Sequence, residues 1–133
     1  MGGDKVTYSL EFELPGLPHC NPADNRHWRT IQKEKKEWIQ AVFFAVHGKR
    51  PEEPLQHARV VFTRFSSVEP DCDNLPYSFK RIRDSLCKKT KKNPGGCDVL
   101  EDDDPTHLEA IYQWEKAPPK KGRVRVRVES KED

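Results

Sequence analysis

The stretch VVFTRFSSVEPDCDNLPYSFK, residues 60–80, joins a strand-like run to a helix-like run through two aspartates. Residues 55–67 are rich in β-branched and aromatic side chains, which favour strands. An apolar stripe at helical spacing predicts one helix from Asn74 onward: Leu75, Phe79, Ile82 and Leu86. We expect Asp73 to be its N-cap, because Asp is a preferred capping residue and Pro76 then lies in the first turn.

Periodicity on either side of this stretch predicts the remaining elements. Alternating apolar residues indicate a strand within VTYSLEFEL (6–14), and helical spacing indicates a helix over 30–46. Two further strands are expected at 108–117 and 122–129, and PPKKG between them is compatible with a hairpin loop. The order β-α-β-α-β-β predicts a two-layer α+β fold, a mixed sheet with its helices packed on one face. A chain of 133 residues is expected to form one domain, spanning residues 1–133.

Trp28 lies just before the predicted first helix, in NRHWR (25–29). We expect it in the core, because large aromatic side chains are usually buried. A contact with DNA is the alternative.

Charge is distributed unevenly along the chain, although its net value is only +2. KKTKK (88–92) and KKGRVRVR (120–127) are basic, whereas residues 101–104 are acidic. The four cysteines include no CxxC pair, and we find no secretory signal and no apolar run long enough for a membrane span. These features predict reduced thiols in a cytoplasmic protein that does not enter a membrane.

Asp71 and Asp73 are two residues apart, so their side chains point the same way if the backbone there is extended. Both carboxylates could then bind one divalent cation such as Mg²⁺, which prefers oxygen ligands. The alternative is that Asp73 only caps the helix and Asp71 is solvated. The acidic run at 101–104 and the nearby basic segments favour a metal site for phosphodiester cleavage.

DCDNLPYSFKRIRDSL (71–86), then VLEDDDP (99–105), then two closing strands resemble the RusA family of Holliday junction resolvases. The resemblance extends over the whole chain, including an N-terminal strand that ends in Pro and the NRHWR-like segment. It implies a bacterial or phage-encoded homodimer that cuts four-way DNA junctions by paired symmetric nicks. It also implies Mg²⁺ as the cofactor, with Mn²⁺ as a possible substitute.

The resemblance implies a role for each acidic residue. Asp71 and Asp73 match the family's D-x-D motif, and Asp103 best matches its third metal ligand. Asp102 is the immediate neighbour of Asp103, and Asp104 extends the acidic run, so the choice of third ligand among the three stays open.

The catalytic lysine of the family falls here on Tyr77. Lys80 follows one turn later, in the relation to Asp84 and Leu86 that the family's lysine has to its own Asp and Leu. Lys80 is therefore the expected catalytic lysine, and the alternative is a surface ion pair with Asp84.

A non-catalytic DNA-binding module that keeps the same fold is the alternative function. In such a protein the carboxylates would serve only as helix caps or would simply be exposed to water. The two basic segments would be the electrostatic footprint of DNA in both functions, or else merely solvated faces.

Overall fold

Four strands and three helices make up the protein in a computed structural model, which describes residues 8–19, 26–71 and 73–131. In chain order they are β1 (Ser9–Pro15), α1 (Trp28–Val46), β2 (Ala58–Ser66), α2 (Asn74–Ser78), α3 (Lys80–Leu86), β3 (Leu108–Lys116) and β4 (Arg123–Ser130). The strands form one sheet in the order β1-β4-β2-β3. β2 and β3 are parallel, and β4 pairs antiparallel with β1 and β2. The predicted α+β fold with a mixed sheet is confirmed.

The core lies between the helices and one face of this sheet. Alternate strand residues point into it, as the period of two predicted for β1 and β4 requires. Its fully buried strand side chains include Val60, Phe62, Val124, Val126 and Val128. Val42 and Val46 of α1 and Ile82 and Leu86 of α3 cover them from the helical layer.

Helix α1 begins at Trp28, and the prediction that this residue lies in the core is wrong. Trp28 is 63% exposed. Its ring stacks on His27 at 6.0 Å between centroids, and the Arg29 guanidinium lies 5.6 Å from the ring centre. The helix ends before Gly48, whose φ of +77° suits a residue without Cβ. Neither α1 nor another helix in the described part of the chain is long and apolar enough to cross a membrane.

The helix expected from Asn74 onward is divided into α2 and α3, so the prediction of one helix is wrong. The break is at Phe79, where φ is −98° and ψ is 3°. Phe79 is fully buried, and its ring centre lies 5.1 Å from Phe62 and 6.1 Å from Tyr112. Burial of this ring against the sheet therefore coincides with the break between the two helices.

The hairpin between β3 and β4 is also wrong, because β2 lies between these two strands. β2 is the most completely buried strand and pairs along both edges. The segment 117–122 therefore passes across the end of β2, where the Ala117 N–H donates to the Ser66 carbonyl at 3.0 Å.

On the face of the sheet opposite the helices, charged side chains cover an aromatic ring. Phe65 lies on this face yet is only 6% exposed. The guanidinium groups of Arg123 and Arg125 cover it, at 4.0 and 4.9 Å from the ring centre. Glu13 accepts hydrogen bonds from both arginines at about 3.0 Å. These contacts shield an aromatic ring that the sheet alone would leave in water.

Candidate active site

Asp71 and Asp73 lie in the turn that connects β2 to α2. The Asp71 carbonyl accepts hydrogen bonds from the N–H groups of Asn74 (2.9 Å) and Leu75 (3.1 Å), and Asp73 has helical backbone angles. The premise of extended backbone at both aspartates is therefore wrong. Both side chains are exposed, so their oxygens are accessible from solvent.

The expectation that the Asp73 side chain caps the helix is also wrong. Asp73 occupies the N-cap position, but its side chain makes no capping hydrogen bond. The Asp71 carbonyl oxygen instead accepts the hydrogen bonds from the N–H groups of Asn74 and Leu75 in the first turn.

The carboxylate of Asp104, the last member of the acidic run, is hydrogen-bonded within its own turn. Its Oδ1 accepts hydrogen bonds from the N–H and hydroxyl of Thr106 and from the N–H of His107. The hydrogen bond from the Thr106 hydroxyl is the main cause that lowers the pKa of Asp104. Asp104 thus shapes the turn into β3, which leaves Asp102 and Asp103 as the better candidates for a ligand.

Asp103 is held against helix α3. Its Oδ2 accepts a hydrogen bond from Arg83 Nε at 3.3 Å, and Arg83 Nη1 donates to the Tyr112 hydroxyl at 2.6 Å. The Asp103 N–H donates to Asp102 Oδ1 at 2.7 Å. The Asp103 side chain remains 34% exposed. It is therefore oriented by Arg83 yet still open to solvent.

Asp84 is the acidic residue of this region that the sequence did not single out as part of the site. Burial, and next the charge of Asp103, raise the pKa of Asp84. Burial also raises the pKa of Cys87 to about 12, with Asp103, Asp84 and Asp102 adding to the effect. The charges of three carboxylates thus act on the thiol at the end of α3. The available signal was the position of Asp84 on the polar side of the predicted helix.

Tyr77, Lys80 and Asp84 line one cavity between α1 and the α2–α3 segment. Lys80 is exposed. Burial and Asp103 raise the pKa of Asp84, and the charge of Lys80 acts in the opposite direction. Lys80 and Asp84, both in the described part of the chain, form no ion pair within 4.0 Å. The surface ion pair that was the alternative role for Lys80 is therefore not seen.

Cys87 and Cys97 are buried free thiols, as expected for reduced cysteines. Cys20 and Cys72 lie outside the described residues.

The predicted ligands are not assembled into one cluster. Across 8–19, 26–71 and 73–131, no three His, Cys, Asp or Glu side chains form a group that could hold a metal ion. Asp103 contacts α3 at Arg83, whereas Asp71 and Asp73 lie at the start of α2. Repulsion between carboxylates favours such separation unless a cation offsets it.

Comparison with known proteins gives no match, either to a protein-family model or to a curated protein sequence.

Proposed function

We propose that this chain is a metal-dependent endonuclease of the RusA type that cuts four-way DNA junctions as a homodimer. The observation that carries the proposal is the composition of the α2–α3 segment. Asp71 and Asp73 lie at its start, and Asp103 contacts it at Arg83. Lys80 lies between these positions in the chain and is exposed. Three aspartates and one exposed lysine thus lie on or contact this segment, although the aspartates do not form one cluster.

The donor set fits a hard divalent cation. Asp71 and Asp73 are exposed and Asp103 is partly so, and all three offer only oxygen donors. These three residues would hold Mg²⁺ or Mn²⁺, with Asp102 beside Asp103 as a further ligand. When bound, the metal supplies an activated water and charge stabilisation for attack on a phosphodiester.

The protein's own groups would orient the substrate and the ligands. Arg83 fixes the side chain of Asp103 through its hydrogen bond, and Tyr112 fixes Arg83 in turn. Lys80 would neutralise negative charge that develops on the attacked phosphate.

Basic residues near this segment would contact the DNA backbone. Residues 88–92 are exposed and follow shortly after α3. Lys88 pairs with Glu101 at 3.6 Å, whereas Lys89, Lys91 and Lys92 make no ion pair within 4.0 Å to a described carboxylate. Arg123 and Arg125, in contrast, pair with Glu13 across the open face of the sheet, and Arg127 pairs with Glu129. The loop 88–92 is therefore a better DNA contact than strand β4.

The test is cleavage of an end-labelled four-way junction. We expect symmetric nicks in Mg²⁺ or Mn²⁺, none in EDTA, and binding without efficient cutting in Ca²⁺. Asp71→Asn and Asp103→Asn should bind the junction and lose cleavage by orders of magnitude, because each removes a metal ligand.

Asp98→Asn is the matched control. Asp98 has a φ of 62°, which Asn tolerates, and its Oδ1 accepts a hydrogen bond from the Lys89 N–H that an amide oxygen can also accept. This variant should cut at the wild-type rate. Cleavage that survives dialysis against EDTA would disprove the metal mechanism. A protein that binds the junction and cuts in neither metal would instead be the non-catalytic DNA-binding module.

A further inference from the structure

A cavity of about 270 Å³ lies between α1 and the α2–α3 segment. We infer that this cavity binds one unpaired nucleotide of a DNA strand, with its phosphate on the basic rim and its base against Trp38 and Tyr77. The inference adds a substrate contact to the proposed function and rests on that function only for the choice of DNA. Neither the acidic ligands nor a metal ion takes part in it.

The rim of the cavity carries a surplus of positive charge. Five cationic side chains line it, against two carboxylates: Arg26, Lys35, Lys80, Arg81 and Lys92, against Glu34 and Asp84. Glu34 is already engaged, since its Oε1 accepts a hydrogen bond from Arg26 Nη1 at 2.5 Å.

Besides Lys80, three of the cations remain available to an anion. Lys35, Arg81 and Lys92 make no ion pair within 4.0 Å to a described carboxylate. Lys35 and Lys92 are also exposed, so a ligand can reach them from solvent. Phosphate is the anion that such a group of lysine and arginine side chains favours.

The aromatic lining and the size of the cavity point to a base as well as a phosphate. Trp38 and Tyr77 are partly buried and face the cavity from α1 and α2. Stacking of a base on an aromatic side chain stabilises a bound strand and tolerates any base sequence. A volume of about 270 Å³ is close to the lower end, roughly 300 Å³, of small-molecule sites. One nucleotide fits such a space, whereas a base pair does not.

Titration of tryptophan fluorescence tests the inference. The probes are thymidine 5′-monophosphate, thymidine and inorganic phosphate, each in EDTA so that metal binding and cleavage play no part. We expect saturable quenching by the nucleotide and at least tenfold weaker binding of the nucleoside. Trp38→Phe should abolish the quenching, which assigns the signal to this cavity.

The double variant Lys35→Gln with Lys92→Gln should weaken nucleotide binding at least tenfold. Its matched control is Lys49→Gln with Lys116→Gln, which removes two exposed charges outside the cavity and should leave binding unchanged. Circular dichroism checks that both proteins are folded.

Three results would overturn the inference: no saturable quenching, equal binding by the two double variants, or phosphate that binds as tightly as the nucleotide. Because the measurement needs no cleavage, its failure is distinct from failure of the nuclease proposal.

Discussion

Three adjacent aspartates have different surroundings, although nothing in their local sequence distinguishes them. Asp104 accepts hydrogen bonds within its own turn, Asp102 accepts one from the next N–H, and Asp103 reaches Arg83 on α3. The preference for Asp103 as third ligand, implied by the family resemblance, stays a prediction. The partner Arg83 was not predictable, because it depends on how the loop packs against the helix.

Substitution of Asp73 should reduce junction cleavage without reducing the stability of the fold. Asp73→Ala should change the free energy of unfolding by no more than about 0.5 kcal/mol, because the side chain is exposed and makes no capping hydrogen bond. Junction cleavage by the same protein should fall by orders of magnitude if Asp73 binds the metal. Urea denaturation and single-turnover cleavage measure the two effects. A clear loss of stability together with unchanged cleavage would show that Asp73 has only a structural role.

Glu13 should make a small, acid-sensitive contribution to stability. The hydrogen bond from Arg125 is the main cause that lowers the pKa of Glu13 below its usual value of 4.5. A lowered pKa in the folded state gives stability that is present above the unfolded pKa and lost as the pH falls through the folded value. Because the side chain is largely exposed, we expect less than about 1 kcal/mol.

The measurement for Glu13 is urea denaturation between about pH 5 and pH 3. Wild-type protein should lose more stability over this window than Glu13→Gln. Glu11→Gln is the control, since Glu11 lies on the same face of β1 and makes no ion pair to a described residue. Identical pH dependence for wild type and Glu13→Gln would contradict the argument.

At the scale of elements, local periodicity and residue type located the four described strands and the regions of the helices, and errors arose where tertiary packing decided the outcome. The stripe from Leu75 to Leu86 continues through Phe79 without interruption, so no local signal marks the break between α2 and α3. PPKKG likewise has the composition of a tight turn. Only the insertion of β2 between β3 and β4 excludes the hairpin, and strand order depends on long-range pairing.

The break at Phe79 provides a stability test. Phe79→Ala should cost about 3–5 kcal/mol, because it removes a fully buried ring packed on Phe62 and Tyr112. Phe44→Ala makes the same chemical change at a side chain that is 73% exposed and should cost less than about 0.5 kcal/mol. Denaturant midpoints compare the two. Similar losses in both variants would mean that Phe79 does not anchor the helical layer.

At the scale of the whole molecule, the proposed activity requires two copies of the chain. One chain of 133 residues carries one set of candidate ligands, and a four-way junction has two symmetric positions to be nicked. We expect a dimer by light scattering at the concentrations at which cleavage is measured. A monomer that still makes paired nicks in one binding event would contradict this prediction.

The position of β4 inside the sheet has a consequence for how the protein is made. Among the described strands, β1 pairs with β4 alone, and Ser9 lies opposite Glu129. The first described strand can therefore join the sheet only after the last one has been synthesised. While the ribosome is still producing the chain, Leu10, Phe12 and Leu14 have no β4 to pair with, and one edge of β2 stays open. Such distant pairing slows folding and leaves apolar edges exposed to aggregation. Slow synthesis before residue 123 would therefore prolong the period in which these exposed edges can aggregate.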